Sequence, residues 1–120
     1  MDGDDTKNPI AWPDNLDAMV AAPNHHKILL ENERVRVLDS RVEPGHATPI
    51  HTHRWPAVLQ ILGTSDFVRC NEAGNVIYDS RESENVLQIG QTIWSGPLSP
   101  HFVRNVGDSD IRVISIEVKD

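Results

Sequence analysis

Several classes of protein are made improbable by what the sequence lacks. Its 120 residues include one cysteine, Cys70, so neither a disulfide bond within the chain nor a cysteine-based zinc cluster is possible. No apolar run approaches the roughly 20 residues that a membrane-spanning helix requires. Positive charge is scarce, with 11 Lys and Arg against 18 Asp and Glu, whereas nucleic-acid-binding surfaces need clustered cations. The composition favours an acidic globular protein that binds neither a membrane nor a nucleic acid.

The N-terminal part of the chain differs in character from the rest. Its first residues are acidic where a signal peptide would be basic, and on that ground we expect a cytoplasmic protein. Residues 1–24 are predicted to be an N-terminal extension whose first 13 residues are loosely attached. Asp14 or Asn15 is the predicted N-cap of a short helix in this extension, with Asp17 in the first turn and Pro23 as its end. Residues 25–120 form one predicted domain.

After Pro23 the sequence is typical of short β-strands separated by turns. Turn signals such as Pro44-Gly45 and Gly74 recur about every 8–12 residues, and no segment keeps a helical period. This pattern predicts an all-β barrel or sandwich. The predicted strands span residues 27–30, 33–42, 58–62, 66–70, 76–79, 86–89, 92–95, 101–105 and 111–118.

Two histidines separated by one residue, His51-Thr52-His53, form the most specific motif. Alternate residues of a strand point to the same face, so the two imidazoles stand about 6–7 Å apart at the backbone and can share one metal ion. His101 opens a later strand after a Gly/Pro-rich turn and is the candidate third ligand. The pattern predicts a divalent metal ion on His51, His53 and His101.

These residues resemble two motifs of the cupin superfamily, and the resemblance extends over residues 33–118. Gly45, His51-Thr52-His53 and Gly63 resemble the first motif, and the run from Gly90 through Gly96-Pro97-Leu98-Ser99-Pro100-His101 to Asn105 resembles the second. The resemblance implies a jelly-roll β-barrel that holds one metal ion on the three histidines. It also implies a homodimer, to which the apolar strand at residues 27–30 could contribute by crossing to the partner.

One departure from the family bears on the chemistry. The family usually has a glutamate ligand shortly after the second histidine, but here the sequence reads Arg54-Trp55-Pro56-Ala57-Val58. The departure resembles the three-histidine cupins, which include cysteine dioxygenase-like and β-diketone-cleaving dioxygenases. An ion on three neutral imidazoles keeps a local charge of about +2 and up to about three open positions. We therefore expect a non-haem metal-dependent dioxygenase acting on a small enolisable or chelating substrate, with iron as the catalytic metal and zinc, nickel or manganese as alternatives.

Two other functions stay open. The chain could be a cupin module that binds a small ligand or a metal without catalysis, or a metal-dependent isomerase or lyase. The second of these is weakened because no convincing general base accompanies the histidines. Since imidazole binds metal only when neutral, the metal affinity is expected to fall below about pH 6.5.

Three side chains are candidates for the substrate pocket: Trp55, Gln60 and Arg104. Trp55 continues the alternation from His53, whereas Gln60 reaches the metal only if a bulge reverses the alternation that puts Ala57, Leu59 and Ile61 on the ligand face. Arg104 could hold a substrate carboxylate, and an exposed strand position is its alternative. The remaining histidines, His25, His26 and His46, are expected to face solvent.

Overall fold

The chain folds into two facing antiparallel sheets, and the computed structural model describes residues 8–119. Strands β1, β2, β9, β4 and β7 form the larger sheet in that order, and β3, β8, β5 and β6 form the smaller one. The expectation of an all-β jelly roll is confirmed. The strands are β1 His26–Glu31, β2 Val35–Val42, β3 His51–His53, β4 Ala57–Gly63, β5 Phe67–Asn71, β6 Val76–Asp79, β7 Thr92–Ser95, β8 Leu98–Asn105 and β9 Ile111–Val118.

Alternation along the strands determines which side chains face the space between the sheets. Ala57, Leu59 and Ile61 of β4 line this space together, as the sequence predicts. On β9 the inward positions include Ser115 and Glu117, which are both buried. The interior of the barrel therefore combines an apolar lining with a small number of polar and charged groups.

The N-terminal segment packs against the barrel. Helix α1 spans Ala18–Ala21, and its N-cap is Asp17, whose carboxylate accepts a hydrogen bond from the Met19 amide at 3.0 Å. The prediction of Asp14 or Asn15 as the cap is wrong, because the extended backbone of Asp17 separates α1 from a 3-10 turn at Asp14–Leu16. The expected loose attachment does not hold for Trp12, which is only 5% exposed, and residues 1–7 lie outside the described part.

The connection between β6 and β7 contains no strand, although one was predicted at residues 86–89. Val86 and Ile89 are 71% and 68% exposed, so their apolar character does not reflect a place in a sheet. Gly90 has a φ of +91°, a value that glycine adopts readily, and it turns the chain towards β7. Across residues 8–119, no helix has the length and apolar character of a membrane span.

Candidate metal centre

Four imidazole rings meet between the two sheets. His51 and His53 come from β3, His101 comes from β8, and His26 is the first residue of β1. The ring centroids of His51 and His101 are 4.4 Å apart, and those of His51 and His53 are 5.0 Å apart. The His26 ring lies 4.9 Å from that of His51 and 5.2 Å from that of His53. The structure thus brings the three predicted ligands together and adds a fourth histidine.

The strand registers explain this convergence. His51 lies directly opposite His101 in the β3–β8 ladder, and directly opposed residues of an antiparallel pair share a face of the sheet. His26 is opposite Ser40 of β2, and both residues line the cavity that contains the other histidines. Each sheet therefore contributes to the cluster.

The position of His26 corrects the expectation that it faces solvent. It is 7% exposed, and the candidate ligand nitrogens of His26, His51 and His53 all lie within 4.8 Å of one another. Its neighbours in β1 are exposed from Lys27 to Glu31, so no buried alternation marks this strand in the sequence.

Hydrogen bonds at Nδ1 orient all four rings. Each Nδ1 lies close to an oxygen that can only accept, so each Nδ1 carries the proton and each Nε2 keeps a free lone pair. Metal-binding histidines are usually oriented in this way. The residues therefore fit a divalent ion bound through Nε2. The acceptors are Ala22 O at 2.9 Å for His26, Pro49 O at 2.8 Å for His51, Glu117 Oε2 at 2.9 Å for His53 and Ser99 O at 2.7 Å for His101.

Burial keeps these rings neutral. Desolvation, followed by the neighbouring histidines, lowers the pKa of His51 to about 2 and the pKa values of His53 and His101 to about 3. Desolvation also lowers the pKa of His26. The expected loss of metal affinity below about pH 6.5 assumed ordinary imidazole pKa values. In the folded protein the rings need not lose a proton at that pH before they bind a metal.

A buried ionic network supports His53. The second oxygen of Glu117, Oε1, accepts a hydrogen bond from Arg36 Nε at 2.6 Å, and the Arg36 guanidinium also holds both oxygens of Asp17, at 2.9 and 3.0 Å. Burial raises the pKa of Glu117, and Arg36 opposes that effect. Arg36 lowers the pKa of Asp17 despite the opposing effect of burial. A chain of contacts thus connects the N-cap of α1 to a candidate metal ligand.

The histidines line a cavity of about 180 Å³ between the sheets. Its walls are mostly apolar, and Trp55 is part of them. The Arg36 guanidinium carbon lies 4.9 Å from the centroid of the Trp55 ring. The pocket therefore suits a small molecule with an apolar body.

The structure does not bring the other two pocket candidates to this cavity. The Gln60 amide donates a hydrogen bond to Gly90 O at 3.1 Å and accepts one from Thr92 Oγ1 at 2.7 Å, which holds it on the outer face of β4. Arg104 is exposed, with its guanidinium carbon 5.8 Å from the Phe102 ring centroid. Simple alternation holds from Ala57 to Ile61, and the irregularity of β4 lies beyond Gln60, between Ile61 and Gly63, so it does not turn Gln60 inward.

Comparison with solved structures identifies the architecture. A cupin domain from Bordetella pertussis Tohama I is 25% identical to this chain, with a TM-score of 0.63, over 79% of this chain and 92% of that one. The chain has the cupin fold. In this chain the histidine cluster lies between the two sheets of that fold. No protein-family model matches the sequence, and no curated protein matches it.

More distant structures share this fold. An RmlC-like cupin family protein from Methanocaldococcus jannaschii has a TM-score of 0.55 at 12% identity, over 78% of this chain and 77% of that one. The polyketide cyclase RemF from Streptomyces resistomycificus has a TM-score of 0.52 at 19% identity, over 79% of this chain and 64% of RemF. At these identities the likeness concerns the fold alone.

Proposed function

We propose that this cupin binds one divalent metal ion on His51, His53 and His101, with His26 as a fourth ligand. The proposal rests on the Nδ1 hydrogen bonds of the four rings, which leave every Nε2 unprotonated. Neutral imidazoles suit iron, zinc and nickel, and a centre without a carboxylate ligand keeps the full charge of the ion. Glu117 balances part of that charge through His53.

The function that the site supports best is metal-dependent catalysis on a small chelating substrate. When bound, the ion would polarise a substrate oxygen as a Lewis acid or, as iron, supply dioxygen chemistry to an enolisable substrate. The apolar cavity walls, including Trp55 and Leu59, would exclude water from the reacting groups. The leading form of the proposal is a non-haem dioxygenase.

His26 favours a second form of this function. Four protein ligands leave about two positions on a six-coordinate ion, one fewer than the three-histidine arrangement expected from the sequence. A bidentate substrate fills both positions, which is sufficient for Lewis-acid catalysis by an isomerase or lyase. In the dioxygenase form, a substrate that bound through one oxygen would take one of these two positions and leave the other open.

Metal content and oxygen uptake test both forms. We expect about one divalent ion per chain by elemental analysis, a sharp loss in His51→Ala and His101→Ala, and no loss in the control His46→Ala, whose histidine is exposed. Full metal content in both His51→Ala and His101→Ala would refute the centre. Uptake of O₂ with acetylacetone by the iron-loaded protein would support the dioxygenase, and turnover that needs a metal but no O₂ would support the Lewis-acid form.

We also propose that the protein is a homodimer that pairs through the outer face of the larger sheet. One row of directly opposed residues crosses all five strands of this sheet, and every member is apolar. Leu30, Ile116 and Trp94 in this row are all exposed. Charged pairs of both signs, such as Arg112 with Asp39, lie on the same sheet, so the surface can complement a second copy of itself. The row, hereafter the apolar row, consists of Leu30, Val37, Ile116, Val58 and Trp94.

A further inference from the structure

A cation that has no hydrogen-bond partner for its Nε among residues 8–119 faces the candidate metal cavity. Arg69 lies on β5 and lines the cavity together with the histidines. Its Nε is buried and has no hydrogen-bond partner, and the structure gives its guanidinium no ion pair within residues 8–119. Tyr78, opposite Arg69 in the β5–β6 ladder, has its ring centroid 5.9 Å from the guanidinium carbon. An aromatic ring does not satisfy the five N–H donors of a guanidinium.

The register of β5 against β8 places Arg69 beside a candidate metal ligand. Arg69 is directly opposite Val103, and Val103 is two residues from His101, so all three point to the inner face. Burial and the neighbouring histidines contribute most to the lowered pKa of His53 and of His101, and the charge of Arg69 adds to both effects. The charge of Arg69 therefore acts on the atoms that would hold the metal.

The buried arginine of this region, Arg36, is fully engaged. Arg36 binds Asp17 and Glu117, and these contacts raise its pKa against the effect of burial. Arg69 shows the reverse, since burial lowers its pKa and no carboxylate opposes that effect. Glu117, the buried carboxylate that lines the same cavity, already uses both oxygens. A largely desolvated cation is costly without a partner, so the pocket is organised for an anion that residues 8–119 do not supply.

We infer that Arg69 binds a carboxylate of the substrate, and that the substrate class is small carboxylic acids with a second oxygen group for the metal. Only the part of the inference that concerns the second oxygen group rests on the proposed function, because that group would bind the metal. A guanidinium matches a carboxylate with two parallel hydrogen bonds, and a dry pocket strengthens them. From the sequence, Arg104 was the candidate for holding a substrate carboxylate. We assign this role to Arg69 instead, because Arg104 is exposed and Arg69 lines the cavity.

The test compares a carboxylate with its neutral amide, using benzoate and benzamide as probes on protein stripped of metal by a chelator. Isothermal titration calorimetry should show at least about tenfold tighter binding of benzoate, as expected for a charge-assisted pair worth more than about 1.4 kcal/mol. Arg69→Met should remove the preference for benzoate, and Arg69→Lys should keep part of it. The matched control Arg104→Met, an exposed arginine on the neighbouring strand, should keep all of it.

The outcomes separate this inference from the metal proposal. Equal affinity for benzoate and benzamide in the wild-type protein, or an undiminished preference in both Arg69→Met and Arg69→Lys, would overturn the inference even if the protein binds its metal. A preference for benzoate that depends on Arg69 supports it even if no metal is found. Thermal unfolding of each variant shows whether the comparison is made on folded protein, and Arg69→Lys serves the test if Arg69→Met does not fold.

Discussion

Glu117 accepts a hydrogen bond from His53 at 2.9 Å, which ties a candidate metal ligand to a carboxylate 64 residues further along the chain. The carboxylate is fully buried, and its other oxygen accepts from Arg36. Both oxygens are thus committed to donors. This geometry makes Glu117 a positioning residue for His53.

Replacing this carboxylate by an amide separates its two roles. In Glu117→Gln only one side-chain oxygen can accept a hydrogen bond, so either His53 or Arg36 loses its acceptor. That residue then faces the N–H₂ group of the amide, which is itself a donor. We expect the metal affinity to fall by about 10–100-fold and the free energy of unfolding to fall by about 3 kcal/mol. Metal titration and urea unfolding measure the two effects. The control Glu31→Gln removes an exposed partner of Lys119 and should cost less than about 1 kcal/mol. Wild-type metal affinity in Glu117→Gln would refute the positioning role.

His26 provides a test of the fourth ligand. Loss of a direct ligand should cost at least as much as loss of an outer partner, so His26→Ala should lower metal affinity by about 100-fold or more. Competition with a chromophoric chelator measures this affinity. His25→Ala is the adjacent control, because His25 Nδ1 contacts Arg41 O outside the cluster. A histidine that only packs against the centre would leave the affinity of His26→Ala unchanged.

The stability of the metal-free protein should depend on pH in a specific direction. The native pKa values of His51, His53 and His101 are about 2, 3 and 3, well below the ordinary 6.5, so only the unfolded chain takes up protons just below pH 6.5. Stability should be complete above about pH 6.5 and decline towards about pH 3, by about 2 kcal/mol per histidine at pH 5.

Urea unfolding in the presence of a chelator, between pH 8 and pH 5, measures this decline. His51→Gln should reduce the slope of the unfolding free energy against pH, below pH 6, by the amount that corresponds to about one proton. His46→Gln, which alters an exposed histidine, should leave it unchanged. An equal free energy of unfolding at pH 7 and pH 5 would contradict the lowered pKa values.

The apolar row predicts where a charge disrupts the dimer. Trp94 is 63% exposed in the single chain, so Trp94→Lys should cost the fold little and should place a cation in the proposed interface. Sedimentation velocity should then show a dimer for the wild-type protein and a monomer for the variant. Val86→Lys changes an equally exposed residue outside the apolar row and should stay dimeric. A monomeric wild-type protein at high concentration would refute the proposal.

Residues with a local signature were predictable from the sequence, and residues placed by distant contacts were less so. His51 and His53 are two positions apart on one strand, and the alternation through Ala57, Leu59 and Ile61 follows from period two. His26 had no such signature, because the exposed residues after it in β1 give no alternation. Its burial depends on the register of β1 against β2, which pattern alone does not determine.

Strand alternation alone carries a usable signal for the inward position of Glu117 but not for that of Arg69. The alternation of β9 places Glu117 on the face of Val113 and Ser115, so a buried carboxylate on an inner face could have been predicted. Arg69 gives the opposite signal, because it alternates with the buried Val68 and Cys70, and pattern alone would place it on the outer face. The error at residues 86–89 has the opposite origin, since short apolar runs can also occur in exposed connections.

The dependence of His53 on Glu117 also bears on the order of folding. His51 and His101 are oriented by carbonyls two residues away, which they can find locally, but His53 needs Glu117 of β9, which takes its place only when β9 pairs with β2 and β4. Until β9 has joined the larger sheet, the set of imidazoles is incompletely oriented. Tight metal capture should therefore be a late step of folding, and ions held weakly before it would have time to exchange before the centre closes.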